Sequence, residues 1–174
     1  MSLLCTLKKK LFLVRHGMVY NPQRIMYRRL PGFGLSSKGR QEAKHAAGFF
    51  LEEPIEVIYY SPLKRTEQTA KILSQFHNAV LIANSLLNEW GELETSEQVL
   101  ERMLCFWNCW SDSHQQVGVA VSHRDPIRVL LLSLLGEFSW PKVKDLTKLP
   151  LPTGGIYCVL QVDTKVSIDF LFAP

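Results

Sequence analysis

Short, wholly apolar runs alternate along this chain with longer stretches in which apolar residues return every three or four positions. Leu11-Phe12-Leu13-Val14 places four apolar residues in succession, the pattern of a strand buried on both faces. Ile55-Glu56-Val57-Ile58-Tyr59-Tyr60, Ala79-Val80-Leu81-Ile82 and Gly118-Val119-Ala120-Val121-Ser122 predict three further strands. Helical periodicity fills the intervals. Ser36-Ser37 caps a helix running from about Gly39 to Leu51, with Ala43, Ala46, Ala47 and Phe50 on one stripe and Pro54 beyond its end. Ser61-Pro62 has the form of a hydroxyl N-cap followed by proline at the first helical position, and predicts a helix from about 62 to 75. Ser96 opens a third helix to about Trp110, with Val99, Met103, Phe106, Trp107 and Trp110 facing inward. Asp125-Pro126 repeats the cap-plus-proline device ahead of a buried helix to Leu135. Two strand-like runs near 156–162 and 166–172 follow Thr153-Gly154-Gly155.

Strands alternating with helices predict an α/β fold of three α/β/α layers around a mainly parallel central sheet, with room for one antiparallel strand near the C-terminus. The 174 residues fit a single domain spanning 1–174. Two segments break the pattern. Residues 18–35 hold two prolines, two glycines, Asn21 and three arginines, and residues 83–95 hold three glutamates. Loops of that length inside a compact domain tend to carry function, so both are candidates for the specificity surface.

Composition narrows the class. The formal charge of +4 is mild, and Lys8-Lys9-Lys10 is the only basic run, too short to argue for nucleic acid. The longest apolar run, Val129 to Leu135, is far below membrane-spanning length. Met1 to Leu7 lacks the order of charges and the length of a secretory leader. Cys5, Cys105, Cys109 and Cys158 show neither disulfide-framework nor metal spacing, and Cys105 and Cys109 read as buried thiols. A cytoplasmic protein without nucleic-acid or membrane partners is the expectation. His45, His77 and His114 lie among polar residues and read as surface.

Three predicted strands end alike: the first in Arg15-His16-Gly17, the second a few residues before Arg65, the fourth in Ser122-His123-Arg124-Asp125. In a parallel sheet these ends share one edge, where ligands of open α/β sheets bind. Gly17 is read there as a residue free to take positive φ and turn the backbone away. Two arginines and two histidines meeting at that edge suit a phosphoryl group. Guanidiniums make bidentate contacts to phosphate oxygens, and an imidazole can serve as nucleophile or oxygen donor.

The motifs are specific beyond this. Arg15-His16-Gly17, Asn21, Gly34-Leu35-Ser36-x-x-Gly39-x-Gln41-x-Ala43, Ser61-Pro62-Leu63-x-Arg65-x-x-Gln68-Thr69-Ala70, Leu87-Asn88-Glu89 and Val121-Ser122-His123 occur in one order over residues 11 to about 135. In this the chain resembles the histidine phosphatase superfamily, which includes the phosphoglycerate mutases, and Tyr27 to Ser36 looks like its small-phosphatase branch. The resemblance implies a phosphoglycerate mutase-like fold and a metal-independent, cofactor-free phosphomonoesterase acting on a phosphorylated small molecule or phosphopeptide. It implies that His16 carries the phosphoryl group as a phosphohistidine. Arg15, Arg65 and His123, with Asn21, would hold the phosphoryl oxygens, and Glu89 would act as general acid and then base; Glu92 and Glu94 in the same loop are its competitors.

Four positions depart from the family pattern. Arg28 and Arg124 stand where glycine is usual, and Met18-Val19 replaces a polar pair. The two arginines are candidate contacts to a second anionic group on the substrate. They also leave two alternatives in view: a phosphate-binding protein with little turnover, and a mutase-type phosphotransferase. The absence of the mutases' long insertion favours hydrolysis over the latter.

Overall fold

The computed structural model describes residues 8–145, 147 and 149–174; Cys5 and the reading of residues 1–7 lie outside them. Six strands form one sheet: β1 (Lys8–Arg15), β2 (Val57–Tyr60), β3 (Val80–Ala83), β4 (Val117–Ser122), β5 (Ile156–Val162) and β6 (Lys165–Phe172). Their order is β3-β2-β4-β1-β5-β6. Strands β1 to β4 run parallel, β5 pairs antiparallel with both β1 and β6, and so only β5 points against the rest. The helices are α1 (Ser37–Phe49), α2 (Lys64–Leu73), α3 (Ser96–Ser111), α4 (Arg124–Leu134) and the short α5 (Trp140–Lys144).

Alternation within β1 builds the two outer layers, because successive side chains leave opposite faces of a strand. Leu11 and Leu13 enter one core with Val99, Met103, Phe106 and Trp110 of α3 and with Ile127 and Val129 to Leu132 of α4. Phe12 and Val14 enter the other with Ala43, Ala46, Ala47 and Phe50 next to α1, and Ala70 and Leu73 of α2. Each such fully buried aliphatic or aromatic side chain contributes about 1.5–3 kcal/mol, so β1 is fixed from both sides.

Helix entries differ from the sequence expectation in instructive ways. Ser36 caps α1 as read, accepting from the Gly39 N–H. The cap of α3 is Thr95 rather than Ser96, because a reciprocal Thr95–Gln98 box satisfies two N–H groups at once. α2 starts at Lys64 with Leu63 as an uncapped N-cap residue, so Pro62 is not its first position. Thr66 Oγ1 instead bonds the carbonyls of Ser61 and Leu63 and holds that turn, which leaves the Ser61 hydroxyl for another task. His123, not Asp125, is the N-cap residue of α4, and Asp125 and Pro126 fall inside the first turn. Proline is tolerated there because first-turn N–H groups have no intrahelical acceptor.

Two further readings are corrected. Gly17 is not among the positive-φ glycines. It is required by contact, since a Cβ on Gly17 would lie 2.2 Å from the Gly39 carbonyl oxygen and one on Gly39 would lie 2.0 Å from the Met18 carbonyl oxygen. α1 therefore presses its first turn directly onto the backbone after His16. Cys105 and Cys109 are exposed, because Met103, Phe106, Trp107 and Trp110 occupy the inward face of α3. Lys9, in the basic run, is fully buried: its Nζ donates to the carbonyls of Trp110 (2.6 Å), Ser111 (3.1 Å) and Ser113 (2.7 Å) and so caps the carboxyl end of α3. Among the described residues no helix is long and apolar enough to cross a membrane.

Candidate active site

The registers of β1 and β4 bring the site together. Arg15 pairs with Ser122 at the strand ends, and the next N–H, that of His16, donates to the Ser122 carbonyl at 3.1 Å. β1 is closed on its other side by the turn before β5. The Arg15 N–H donates to Gly155 O (3.1 Å), and the Gly154 N–H donates to Arg15 O (3.0 Å) from a backbone at φ +74°, where glycine is favoured. Arg15, His16, Arg28, Glu89 and Arg124 line one cavity of about 610 Å³, with Trp90, Tyr27 and Asp125 among its other walls.

His16 is 2 % exposed, and its Nδ1 lies 2.8 Å from the Gly17 carbonyl. A carbonyl only accepts, so Nδ1 carries the proton and Nε2 keeps its lone pair. Burial, then the positive charges of Arg65 and Arg15, push the imidazole pKa down to about 3, against a weaker upward pull from the Gly17 carbonyl. The ring packs edge-on against His123, centroids 5.1 Å apart. His123 is fully buried and receives Arg65 Nε at its Nδ1 (3.3 Å). Arginine only donates, so the His123 proton sits on Nε2 and points to Ser61 Oγ (3.1 Å), which in turn donates to Asn88 Oδ1 (2.7 Å). Burial, His16 and Arg65 all hold His123 well below the ordinary imidazole value.

Arg65 comes from the first turn of α2, with its carbonyl held by Thr69 Oγ1, whose oxygen also receives the Gly17 N–H. Its guanidinium lies 4.8 Å from the Tyr27 ring and donates through one terminal nitrogen to the Arg28 carbonyl at 2.6 Å. Arg15 donates to the Leu151 carbonyl at 2.7 Å, while its Nε is buried with no partner. A buried guanidinium edge without an acceptor is a built-in demand for an anion.

Glu89 reaches the same point from the loop before α3. Its Oε2 lies 3.6 Å from His123 Nδ1 and its Oε1 accepts the Trp90 N–H at 2.9 Å. Burial, aided by Asp125, raises its pKa above the usual carboxylate range, although Trp90 and the two arginines pull the other way. Glu92 is exposed at the cavity rim. Glu94 is occupied: it pairs with Arg29 (2.6 Å) and Arg102 (2.6 Å) and accepts the Gly91 N–H (2.9 Å).

Asn21 is not brought to this cluster. Both ends of its amide bond the backbone of Ile25, at 2.8 and 3.0 Å, as a side chain preceding a proline turn often does. Arg28 and Arg124 are both at the cavity, Arg28 exposed at φ +31° and Arg124 at the first position of α4 with its Nε on Asp125 Oδ1 (2.8 Å). Met18 and Val19 act through their backbones, Met18 N–H on Glu42 (2.7 Å) and Val19 bridged to Leu35. Three contributors escaped the sequence reading: Ser61 as the link from His123 to Asn88, Glu94 as a clamp, and the turn at Gly154-Gly155. Among the described residues no group of three His, Cys, Asp or Glu is placed to hold a metal ion.

Residues 11–95 match the sequence pattern of the histidine phosphatase superfamily (branch 1). An uncharacterised protein of Mycobacterium tuberculosis is 39 % identical over 166 residues, covering 76 % of this chain and 82 % of that one. The chain belongs to the histidine phosphatase superfamily. Phosphoserine phosphatase 1 of Hydrogenobacter thermophilus is 28 % identical over 163 residues, 73 % of this chain and 76 % of its own. The fold of this histidine phosphatase is also that of the alpha-ribazole phosphatase of Shigella flexneri, with a TM-score of 0.77 at 16 % identity over 93 % of this chain and 95 % of the other. The mainly parallel, helix-flanked sheet is thus a phosphoglycerate mutase-like α/β fold.

Proposed function

We propose that this histidine phosphatase is a metal-independent phosphomonoesterase working by double displacement through a phosphohistidine on His16. The observation that carries the reading is the state of His16. It is neutral and tautomerically fixed, with Nε2 as a free lone pair, and it lies between two arginines in a cavity whose Arg15 Nε lacks an acceptor.

Nε2 of His16 attacks phosphorus, and the bond to the ester oxygen breaks. Arg15 and Arg65 hold the equatorial oxygens and neutralise the charge that would otherwise repel the incoming lone pair, while His123, neutral and accepting Arg65 Nε at its Nδ1, steadies that guanidinium. For this, Arg65 exchanges the Arg28 carbonyl for a phosphoryl oxygen. Glu89, kept protonated by its burial, gives its proton to the departing oxygen. As a carboxylate it then takes a proton from water, whose oxygen attacks the phosphohistidine and releases inorganic phosphate. Charge neutralisation falls to the arginines, so no metal enters the scheme.

The test is hydrolysis of p-nitrophenyl phosphate at mildly acidic pH with and without EDTA. Turnover that survives EDTA and is abolished in His16→Ala is expected. Equal rates for both proteins, or loss of activity with EDTA restored by metal, would overturn the reading. Appearance of the phosphoryl group on an added acceptor alcohol instead of as inorganic phosphate would mark a phosphotransferase.

A further inference from the structure

Behind the phosphoryl cradle, four side chains make a chain of hydrogen bonds that runs in one direction. Arg65 Nε donates to His123 Nδ1 (3.3 Å), His123 Nε2 meets Ser61 Oγ (3.1 Å), and Ser61 Oγ donates to Asn88 Oδ1 (2.7 Å). The two ends fix the direction. A guanidinium has no acceptor and an amide oxygen no donor, so each group between them passes one proton onward. Ser61 has a single O–H, committed to Asn88, and offers His123 only a lone pair. Ser61 and His123 are both fully buried, out of reach of competing bulk solvent.

The two tautomers of His123 have opposite consequences for the cavity. Glu89 Oε2 stands 3.6 Å from the same Nδ1 that accepts from Arg65. With the proton on Nε2, Nδ1 presents a lone pair, which suits Arg65 and gives an ionised Glu89 nothing. With the proton on Nδ1, that N–H would oppose the Arg65 Nε–H and stabilise a Glu89 carboxylate. Burial, His16, Arg65, Arg102 and Arg15 keep the ring neutral, so the choice lies between these two forms. The other charges facing Glu89 are Arg15, Arg65, Arg124 and Asp125, and they act on it whichever tautomer is present.

Neither Ser61 nor Asn88 needs its side chain to hold its own segment. The Ser61 N–H donates to Val121 O (3.1 Å), and the Ser61 carbonyl accepts from Thr66 Oγ1 (2.6 Å). The Asn88 N–H donates to Ser85 O (3.1 Å), and the preceding Leu87 carbonyl accepts from Ser122 Oγ (2.7 Å). We propose that Ser61 and Asn88 are positioning residues that lock the tautomer of His123, keeping its Nδ1 as the acceptor of Arg65 and withholding a hydrogen-bond donor from Glu89. The catalytic consequence rests on the phosphomonoesterase reading above: Glu89 keeps its proton until the leaving oxygen takes it.

The experiment compares wild type, Ser61→Ala, Ser61→Thr and Asn88→Leu by two readouts. Side-chain nitrogen NMR of His123 reports which ring nitrogen bears the proton. The pH profile of kcat/KM reports the acid of the free enzyme, measured with phenyl phosphate, whose basic leaving group needs that acid. Wild type and Ser61→Thr, which keeps the hydroxyl, are expected to carry the proton on Nε2. Ser61→Ala removes the acceptor of Nε2, and Asn88→Leu frees the Ser61 hydroxyl to donate to it. In both, the proton should move to Nδ1. The Glu89 carboxylate is then stabilised, so the basic limb moves to lower pH by about one unit, the effect of one hydrogen bond to a charged group. A wild-type His123 protonated on Nδ1, or an unchanged tautomer in both variants, overturns the lock. A moved proton with an unmoved basic limb overturns the link to Glu89. A wild type no more active than His16→Ala overturns the phosphomonoesterase reading and that link with it, while the NMR comparison still decides the lock.

Discussion

Enclosing a neutral imidazole among cations ties stability to pH. The pKa of His16 falls from the ordinary 6.5 to about 3 on folding, so below pH 6.5 the unfolded chain binds a proton that the folded one refuses. Stability from this residue is complete above pH 6.5 and is lost as the pH falls towards 3, by up to about 1.4 kcal/mol per pH unit. His123 acts in the same direction. Glu89, whose pKa is raised, works in the opposite sense above the ordinary carboxylate value and offsets part of the slope. Urea midpoints for wild type and His16→Gln should therefore diverge most at pH 7 and progressively less as the pH falls, whereas a histidine that merely packs would give the same difference at every pH. The expectation here is a flatter stability–pH slope between pH 4 and 6.5 in the variant, and equal slopes would contradict the enclosed neutral histidine. At this scale Arg15, His16, Arg65 and His123 were legible because each ends or follows a recognisable strand. Ser61 was misread because a hydroxyl before proline is the ordinary sign of a helix cap, whereas its partners Asn88 and His123 are remote in sequence.

Among the elements, the loop from Asn88 to Glu94 carries Glu89 and owes its shape to Glu94. Besides its two arginines and the Gly91 N–H, the Glu94 carbonyl receives the Trp90 indole N–H at 2.7 Å, and Arg29 donates through Nε to the Glu89 carbonyl at 2.5 Å. Burial raises the Glu94 carboxyl, but hydrogen bonds from Arg102 and Gly91 outweigh it and hold the group ionised. In Glu94→Gln the loop should loosen and rehydrate Glu89, lowering kcat by about tenfold as positioning is lost. The basic limb of the kcat–pH profile should then move to lower pH, with Glu94→Asp recovering part of both effects. A fall in kcat without movement of that limb would separate Glu94 from Glu89. No sequence signal pointed to this clamp, since Arg29 and Arg102 flank it from different segments. The contact of α1 with the turn after His16 was visible only as the presence of Gly17 and Gly39 in the motifs, and its cause is steric. Gly39→Ala puts a methyl group 2.0 Å from the Met18 carbonyl oxygen and should destabilise the fold by about 1–3 kcal/mol in urea titration.

For the molecule as a whole, the alternation of strands and helices was enough to indicate the layers and the reversed strand, but not the order of the strands. Sheet order depends on which apolar runs pair, and every run here is apolar enough to pair with several others. The insertion of β5 beside β1 shows what that order entails. Synthesis delivers β1 first, yet its partners are β4 at Val117–Ser122 and β5 at Ile156–Val162, and Lys9 meets its acceptors only at Trp110 to Ser113. Such distant pairings make folding slow, because loop closure precedes the contacts that reward it. Throughout elongation Leu11 to Val14 remain an unpaired apolar segment, the kind of sequence that chaperones shield and that aggregates when they do not. The strand that ends at His16 is therefore made well before both of its partners, and the cavity beside it takes shape only after β4 and β5 have emerged.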